Sequence, residues 1–282
     1  MSKIINDQFY TKQAVADDCF QILKKYPELY QNRTILEPSA GTGTFLRTFA
    51  KNDISSENIL AYDIDPKCKN VQKSDFLSVK LSKKNMIAIG NPPFGKRSSL
   101  AIEFFNKCAL FCDTIAFIVP VQFRKYGVQS KLNNEFCLIE DVLLQPESFE
   151  NNGKPLSVRC CFQIWTKSKN YNNLRILTKP DISDDDFTLY LYNNTPQALK
   201  FFDYKWDFAV PRQGYYDYSL RITDKTTLNP RIQYMFFKGN TQEITERLRN
   251  LDFGKLAEKN TTISGYGKAD VVAEYRRLYK CS

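Results

Sequence analysis

The chain has 282 residues, with 40 Lys and Arg against 31 Asp and Glu, a formal net charge of +9, and no histidine. This length predicts roughly two domains, and 43% hydrophobic residues are enough to bury a core. The missing histidine excludes Ser-His-Asp and Cys-His hydrolases, HExxH zinc proteases and any histidine general acid or base.

The first part of the chain alternates helical stretches with short β-like runs. A helix is predicted over Gln13–Tyr26, and the strand TILE then breaks into PSAGTGTF and a helix that runs to about Asn52. The later β-like runs are NILAYDID, KSDFL, MIAIG, TIAFIVP, CLIEDVLL and SVRCCFQIW, with a helix between MIAIG and TIAFIVP. This alternation predicts an open, mostly parallel sheet that binds its ligands at the carboxyl ends of the strands.

A polar stretch, KSKNYNN, is typical of a linker and divides the chain into domains of residues 1–168 and 169–282. The second domain contains the acidic DISDDD near its start, which we expect to form a loop or a cap. Helices are predicted at about Thr241–Leu251 and Asp270–Lys280. Between them and the acidic segment the chain is rich in aromatic and basic residues, including Lys205, Trp206, Arg212, Tyr215, Tyr216, Arg221, Arg231 and Lys238.

The eight cysteines form no CxxC pair. Cys108 and Cys112 would share one face of a helix, but a zinc site would need two further ligands with similar spacing. Most of the cysteines lie in apolar stretches, where a free thiol behaves as a small hydrophobe. We therefore expect reduced core thiols, no metal site and a cytoplasmic protein. No apolar run is long enough to span a membrane or to form a signal peptide.

The basic balance, with a pI near 9.0, has two interpretations. It favours a polyanionic partner, since each phosphate contact releases counterions from a nucleic acid. It is equally typical of a lysine-rich surface.

The glycine-rich turn SAGTG follows the first strand directly. It provides only GxG, without the third glycine of a dinucleotide-binding turn, and it lacks the GK[ST] of a P-loop. Asp63 ends the next strand, where a carboxylate can accept hydrogen bonds from ribose hydroxyls. A glycine turn with such an acid indicates a nucleoside-bearing cofactor, and the alternative is a tight turn beside a surface aspartate.

The tetrapeptide Asn91-Pro92-Pro93-Phe94 follows the fully apolar strand MIAIG. Neither proline has an N–H group, so the turn lacks local donors for its carbonyl oxygens. The Asn91 side-chain oxygen and the Pro92 carbonyl are left as acceptors on a rigid loop, and Phe94 provides a flat apolar face. This set suits a planar –NH₂ group on a heteroaromatic ring, although a tetrapeptide of this kind can also be an ordinary turn.

The motifs FYT, ILEPSAGTGTF, AYDIDP, KSDFL and IGNPPF, in this order, resemble those of the class I S-adenosylmethionine-dependent amino-methyltransferases. The resemblance covers roughly Gln8 to Lys167 and is closest to adenine-N6 DNA methyltransferases of the gamma arrangement. It implies a Rossmann-like α/β domain with a mostly parallel seven-stranded sheet, followed by a smaller C-terminal α+β region that recognises the target. The implied cofactor is S-adenosylmethionine and the implied partner is a nucleic acid.

The resemblance also implies roles for cofactor-binding residues. Tyr10 and Thr11 would contact the methionine end, Asp63 would bind the ribose, and Ile64 would pack on the cofactor adenine. Further contacts to the methionine end would come from Glu37, Pro38, Ala40, Gly41 and Gly43. Asp75 and Phe76 would frame the amino group and the ring of the cofactor adenine.

On the target side, the resemblance implies that Asn91 and Pro92 hold the amine, with Pro93 completing the rigid loop, and that Phe94 stacks on the target base. Phe149 would be a second aromatic for a flipped base, or a core residue. Lys96 and Arg97 would lie at the mouth of the site and contact the substrate.

Three other functions share part of this pattern. An RNA adenine-N6 methyltransferase also carries NPPF, and nothing in the sequence identifies a reader of the 2′-hydroxyl. A protein-glutamine methyltransferase has the same need to hold an amide –NH₂, but its motif usually ends in tyrosine. A non-catalytic methyltransferase-like subunit would only bind nucleic acid or a partner, and the intact motifs argue against it.

Overall fold

The computed structural model describes residues 9–82, 85–145, 147–151, 154–192, 205–214, 216–259 and 263–280. The chain divides into two compact units, Met1–Leu177 and Thr178–Ser282. No helix in the described ranges is both long and apolar enough to cross a membrane.

The first unit is built on a seven-stranded sheet and a small three-stranded sheet. Its strands are β1 (Tyr10–Thr11), β2 (Thr34–Glu37), β3 (Ile59–Asp63), β4 (Gln72–Lys73), β5 (Met86–Gly90), β6 (Cys112–Pro120), β7 (Cys137–Leu143), β8 (Phe149–Asn151), β9 (Lys154–Leu156) and β10 (Cys160–Thr166). Its α-helices are α1 (Gln13–Leu23), α2 (Thr44–Lys51), α3 (Ser99–Cys108) and α4 (Tyr126–Gln129). Single 3-10 turns occupy Pro27–Leu29, Ser56–Asn58, Phe76–Ser78, Lys96–Ser98 and Val121–Arg124.

The large sheet has the strand order β4-β3-β2-β5-β6-β10-β7. The strands from β4 to β6 are parallel, and β10 runs antiparallel to both β6 and β7. The predicted mostly parallel seven-stranded sheet is therefore confirmed. Two sequence runs match their strands residue for residue, TILE in β2 and MIAIG in β5.

Both faces of the large sheet are covered, which explains why β5 reads as a continuous apolar run. Ile87 and Ile89 pack on one face with the cluster that includes α1 and α2. Met86 and Ala88 pack on the opposite face with the cluster that includes α3. Alternate residues of one strand thus enter two separate cores, as the pleat requires.

The small sheet has the order β1-β8-β9 and was not expected from the sequence. The β8–β9 hairpin lies between β7 and β10 in the sequence, and β8 pairs antiparallel with β1. This pairing sets Thr11 opposite Phe149 and brings the segment before α1 to a hairpin that is far away in sequence.

The first unit ends at Leu177, later than the boundary expected at 168/169. The segment after Thr166 is attached by hydrogen bonds from the Leu174 N–H to the Leu138 carbonyl and from the Ile176 N–H to the Gln129 side chain. Arg175 donates to four main-chain carbonyls, those of Gln129, Leu132, Asn133 and Phe136, at 2.7–2.9 Å.

Replacing Arg175 by alanine should lower the free energy of unfolding of the first unit by about 2–4 kcal/mol, because four carbonyls lose a charged donor. The guanidinium also lies over the Trp165 ring, 5.7 Å from its centroid. Urea unfolding followed by tryptophan fluorescence in a Trp206→Phe background reports on Trp165 alone. We expect Arg175→Lys to lose less stability, and equal stability of Arg175→Ala and the parent would contradict this role.

The second unit is an antiparallel sheet with helices on one face. It contains β11 (Phe187–Tyr192), β12 (Phe208–Pro211), β13 (Tyr234–Gly239), α5 (Gln242–Arg249), α6 (Phe253–Lys259), α7 (Lys268–Tyr279) and a 3-10 turn at Lys225–Thr227. The strand order is β11-β13-β12. Helices were predicted close to α5 and α7, whereas α6 and the three strands were not predicted.

The acidic DISDDD segment holds α7 within the second unit. Asp184 is buried and accepts from Arg276 Nε at 2.7 Å and from Lys280 Nζ at 2.6 Å. These bonds lower the pKa of the Asp184 carboxyl against the effect of its burial, which raises it.

All seven described cysteines are free. Six of them are buried, Cys68 is half-buried, and Cys281 lies outside the described residues. Burial raises the pKa of the Cys19, Cys112 and Cys160 thiols. No group of three metal-ligating side chains occurs in the described part of the chain.

Candidate functional site

The carboxyl ends of β2, β3 and β5 open into a cavity of about 550 Å³. Most of the predicted site residues line it, namely Tyr10, Thr11, Glu37, Pro38, Ala40, Gly41, Asp63, Ile64, Asp75, Phe76, Asn91, Pro92, Pro93 and Lys96. Gly43, Phe94, Arg97 and Phe149 are not among the lining residues. The lining also includes Phe9, Ser39, Leu100 and Phe104, which the sequence did not single out.

The Asp63 carboxylate, at the end of β3, binds the glycine turn. The Gly41 N–H donates to Asp63 Oδ2 at 2.7 Å, and the Asp65 N–H donates to Asp63 Oδ1 at 2.8 Å. A carboxylate has about four acceptor positions, so Asp63 can still accept from ligand hydroxyls. Asp63 therefore shapes the turn and faces the cavity at the same time.

The two glycines of the turn are required for different reasons. Gly41 has φ +51°, and an added Cβ would lie 3.3 Å from the Tyr10 ring. Gly43 has φ +75° and precedes α2, and an added Cβ there would lie 2.6 Å from the Cys68 sulfur. The missing side chain at Gly41 thus lets the turn lie close to the Tyr10 ring. At Gly43, glycine is required where the chain enters α2.

Part of the cavity lining is apolar, and we call this part the apolar slot. Ile64 is 52% exposed and borders the cavity together with Leu77, Leu100 and Phe104. Phe76 is buried and packs on Phe104, with ring centroids 5.6 Å apart. Asp75 borders the same slot, and its Oδ1 accepts from the Leu77 N–H at 3.0 Å. A flat ring with a polar edge would suit this slot.

Glu37, at the end of β2, is a buried acid without a full set of partners. Its side chain is 1% exposed, and its Oε2 has no hydrogen-bond partner in the described structure. Burial and the nearby Asp63 raise the pKa of the Glu37 carboxyl well above 4.5, while Arg47 opposes the shift. Such an acid suits a cationic ligand group, which would allow it to ionise.

Glu37→Gln should make the ligand-free protein more stable at pH 8 and leave its stability unchanged near pH 4. Since the folded-state pKa is raised, the stability linked to this group is complete below the unfolded-state pKa, close to 4.5, and is lost as pH rises through the folded-state pKa. Thermal unfolding across this range would show the two stability curves separating as pH rises. The exposed control Glu103→Gln should follow the parent, and parallel curves for Glu37→Gln would contradict the shift.

Arg47 supports the turn from α2 and was not singled out from the sequence. Its Nη1 donates to the Thr42 carbonyl at 2.7 Å, and its Nε donates to the Gln13 side chain at 2.8 Å. A signal was present, because a lone arginine at the first turn of α2 cannot enter the apolar core beside Phe45 and Phe49. Its hydrogen-bond partners could not be read from the pattern.

The Asn91 amide is oriented by the segment before α1. Asn91 Nδ2 donates to the Phe9 carbonyl at 3.0 Å, so Oδ1 is turned the other way. Oδ1 is buried, and no described residue donates to it. The main-chain carbonyl of Asn91 accepts from Ser39 Oγ at 3.0 Å. The loop thus presents a fixed acceptor that lacks a donor.

The two aromatic residues expected at the target base are covered in this structure. Phe94 is 6% exposed and Phe149 is fully buried. The Phe9 ring stacks on Phe94 with centroids 5.6 Å apart, and Phe149 packs against both rings at 6.2 Å. Of these three residues, Phe9 is the one among those that line the cavity. The sequence left open whether Phe149 contacts the base or lies in the core. Here it lies in the core, because the β1–β8 pairing buries its ring.

Lys96 and Arg97 follow the NPPF loop in a 3-10 turn, and both are exposed. Lys96 borders the cavity. Arg97 has φ +54°, a left-handed conformation that is unusual for a side-chain-bearing residue. The two cations thus lie in one turn, with Lys96 alone facing the cavity.

In the second unit, several expected nucleic-acid contacts are engaged within the protein. Arg221 donates to five main-chain carbonyls, Arg212 donates to Gln233, and Lys238 pairs with Asp207. Trp206 packs on Phe236, with centroids 5.2 Å apart. Lys205, Tyr216 and Arg231 are exposed, and Tyr215 lies outside the described residues. Four residues of the sequence cluster thus make contacts within the protein, and three of the other described ones are exposed.

No protein-family model matches the chain. An alignment of 107 residues is 32% identical to the type II methyltransferase M.VspI from Vibrio sp. (strain 343), and it covers 32% of this chain and 26% of that protein. The chain therefore matches about a quarter of the length of this relative.

Among the solved structures that are similar to this one are two restriction-modification proteins. The type IIL restriction-modification enzyme MmeI, solved in complex with DNA, has a TM-score of 0.52 at 10% identity, covering 92% of this chain and 64% of that one. The type I restriction-modification methyltransferase subunit from Streptococcus thermophilus has a TM-score of 0.46 at 18% identity, covering 57% of this chain and 45% of that one. With the strand order described above, the chain has the class I methyltransferase fold.

Proposed function

We propose that this chain transfers a methyl group from S-adenosylmethionine to the exocyclic N6 amine of adenine in DNA. The observation that carries the proposal is the Asn91 amide, whose Nδ2 is fixed by the Phe9 carbonyl and whose buried Oδ1 accepts from no described residue. A buried acceptor without a partner costs about 1–3 kcal/mol, which a bound amine would recover.

The cavity has the chemistry that S-adenosylmethionine needs. The apolar slot beside Ile64 and Phe104 suits the adenine ring, and Asp63 suits the ribose hydroxyls. The buried Glu37 suits the cationic end, and Tyr10 and Thr11 border the same cavity. The cofactor supplies an electrophilic methyl group on a sulfonium.

The amine of adenine is a poor nucleophile because its lone pair is delocalised into the ring. Asn91 Oδ1 and the Pro92 carbonyl would each accept one N–H of this amine and so localise the lone pair. The reaction then depends on the alignment of the amine with the methyl group and on electrostatic stabilisation, and no strong base is required. The proton leaves late and passes to solvent, which agrees with the absence of histidine.

Inside a duplex this amine is inaccessible, so the base would be extruded into the cavity. Phe94 is the ring expected to stack on it, and the Phe9 ring covers one face of Phe94 in this structure. Binding of the base would therefore displace the Phe9 ring. The exposed Lys96 at the cavity would contact a neighbouring phosphate.

DNA is favoured as the substrate by the partial relative and by one structural neighbour. M.VspI is a type II methyltransferase, and MmeI was solved in complex with DNA. The net charge of +9 agrees with a polyanionic substrate. The second unit would contribute to target recognition.

One labelling experiment tests the proposal. The chain and labelled S-adenosylmethionine are incubated in four separate reactions, with PCR-amplified genomic DNA, single-stranded DNA, RNA or protein as the substrate. The labelled product of each reaction is digested, and the methylated nucleoside or residue is identified. We expect N6-methyladenine in the DNA reactions. Label only in RNA or in glutamine would assign the alternative substrates, and no transfer together with no cofactor binding by calorimetry would indicate a non-catalytic subunit.

A further inference from the structure

The turn after β2 and the loop after β5 are joined by a side-chain hydrogen bond. Ser39 Oγ donates to the main-chain carbonyl of Asn91 at 3.0 Å. Both residues border the cavity, and their strands are parallel neighbours in the sheet. The contact therefore lies where the cofactor side of the site meets the target side.

The Asn91–Pro92 peptide needs donors from outside its own loop. Pro92 and Pro93 have no N–H groups, so they cannot donate the short-range hydrogen bonds that usually fix a turn. The Asn91 side chain is fixed through the Phe9 carbonyl, and its main chain is fixed through Ser39. Rotation of this one peptide would move the Pro92 carbonyl relative to Asn91 Oδ1, and these are the two expected acceptors.

Ser39 is itself held firmly in the cofactor turn. It lies between Pro38, whose φ is restricted, and Ala40, whose N–H donates to the Tyr62 carbonyl at 2.9 Å. Gly41, two residues on, is bound to Asp63. A displacement of the cofactor turn would therefore be passed to the amine-binding loop through the Ser39 hydroxyl.

We propose that Ser39 is a positioning residue that aligns the amine acceptors of the NPPF loop with the methyl group of the bound cofactor. This inference rests on the proposed function. Ser39 does not take part in the chemistry, and its contribution is the geometry of Asn91 and Pro92. Small misplacements in a methyl transfer reduce the rate strongly, because the reacting atoms must be in line.

The test compares Ser39→Ala, Ser39→Thr and the exposed control Ser130→Ala with the parent. Single-turnover methyl transfer to PCR-amplified genomic DNA is measured at saturating S-adenosylmethionine, and the affinity for S-adenosylhomocysteine is measured by calorimetry. We expect Ser39→Ala to slow the transfer by about tenfold, the effect of one lost hydrogen bond. Its affinity for S-adenosylhomocysteine should stay at the parental value, and Ser39→Thr should recover most of the rate.

Three results would overturn this role. Ser39→Ala could transfer at the parental rate, it could lose cofactor affinity in proportion to the rate, or Ser39→Thr could be as slow as Ser39→Ala. In each of these cases the parent still produces N6-methyladenine, so the proposed function stands while the role of Ser39 fails. A parent that transfers no methyl group overturns both.

Discussion

Asn91→Ala is expected to reduce methyl transfer by about 10²–10³-fold while the protein remains folded and binds S-adenosylmethionine as the parent does. The substitution removes the buried Oδ1 that would accept from the target amine. This loss acts on the transition state, where the lone pair becomes localised, so it should appear in the turnover number rather than in cofactor affinity. Single-turnover kinetics with labelled cofactor would measure it.

Two other variants separate chemistry from folding. Asn134→Ala, at an exposed position, should transfer at the parental rate. Phe94→Ala should reduce transfer less than Asn91→Ala does, but it should destabilise the first unit by about 3–5 kcal/mol, since the ring is buried against Phe9 and Phe149. A folded Asn91→Ala protein with nearly normal turnover would refute the mechanism.

Asp63→Ala is expected to weaken S-adenosylmethionine binding by about 10²–10³-fold. The carboxylate fixes the turn by accepting from the N–H groups of Gly41 and Asp65 and would also accept from the ribose. Losing the hydrogen bonds from the ribose hydroxyls to this carboxylate costs about 3–4 kcal/mol of binding free energy, and each 1.4 kcal/mol is a factor of ten in affinity. Calorimetric titration with S-adenosylhomocysteine would measure the change.

Asp63→Asn is the matched comparison because it keeps one acceptor oxygen. It should retain one of the two backbone bonds and bind the cofactor more tightly than Asp63→Ala. Asp18→Ala, at an exposed position on α1, should bind as the parent does. If Asp63→Ala bound the cofactor with parental affinity, the cavity beside the glycine turn would not be the cofactor site.

The strands of the large sheet could be predicted because their signals are local. β2 and β5 are short apolar runs bounded by turn residues, and both cores accept their alternate side chains. The alternation of strands with helices predicted that the acidic and glycine-rich strand ends meet at one edge of the sheet. The strands of the second unit were not predicted individually, because β12 has only four residues and alternate aromatic residues of β13 enter two different clusters.

The aromatic residues of the site show what local pattern could not provide. Phe94 follows a strand and has no neighbour in sequence that would cover it, so an exposed ring was expected. Its cover is Phe9, and the cover of Phe149 is the β1–β8 pairing, both made by residues that are far apart in the chain. Arg221 is a similar case, since its five carbonyl partners include Arg249 and Leu251.

The sequence by itself determined the fold class, the parallel order of motifs at the strand ends and most residues around the cavity. These follow from short-range hydrophobic periodicity, turn chemistry and the sheet geometry that parallel strands impose. Only the tertiary structure decided that the Asn91 amide is oriented by Phe9 and its peptide by Ser39. It also decided that Phe94 and Phe149 are covered. Those contacts join segments that are far apart in the sequence. Hydrogen bonds between such segments produce no periodic residue pattern from which they could be predicted.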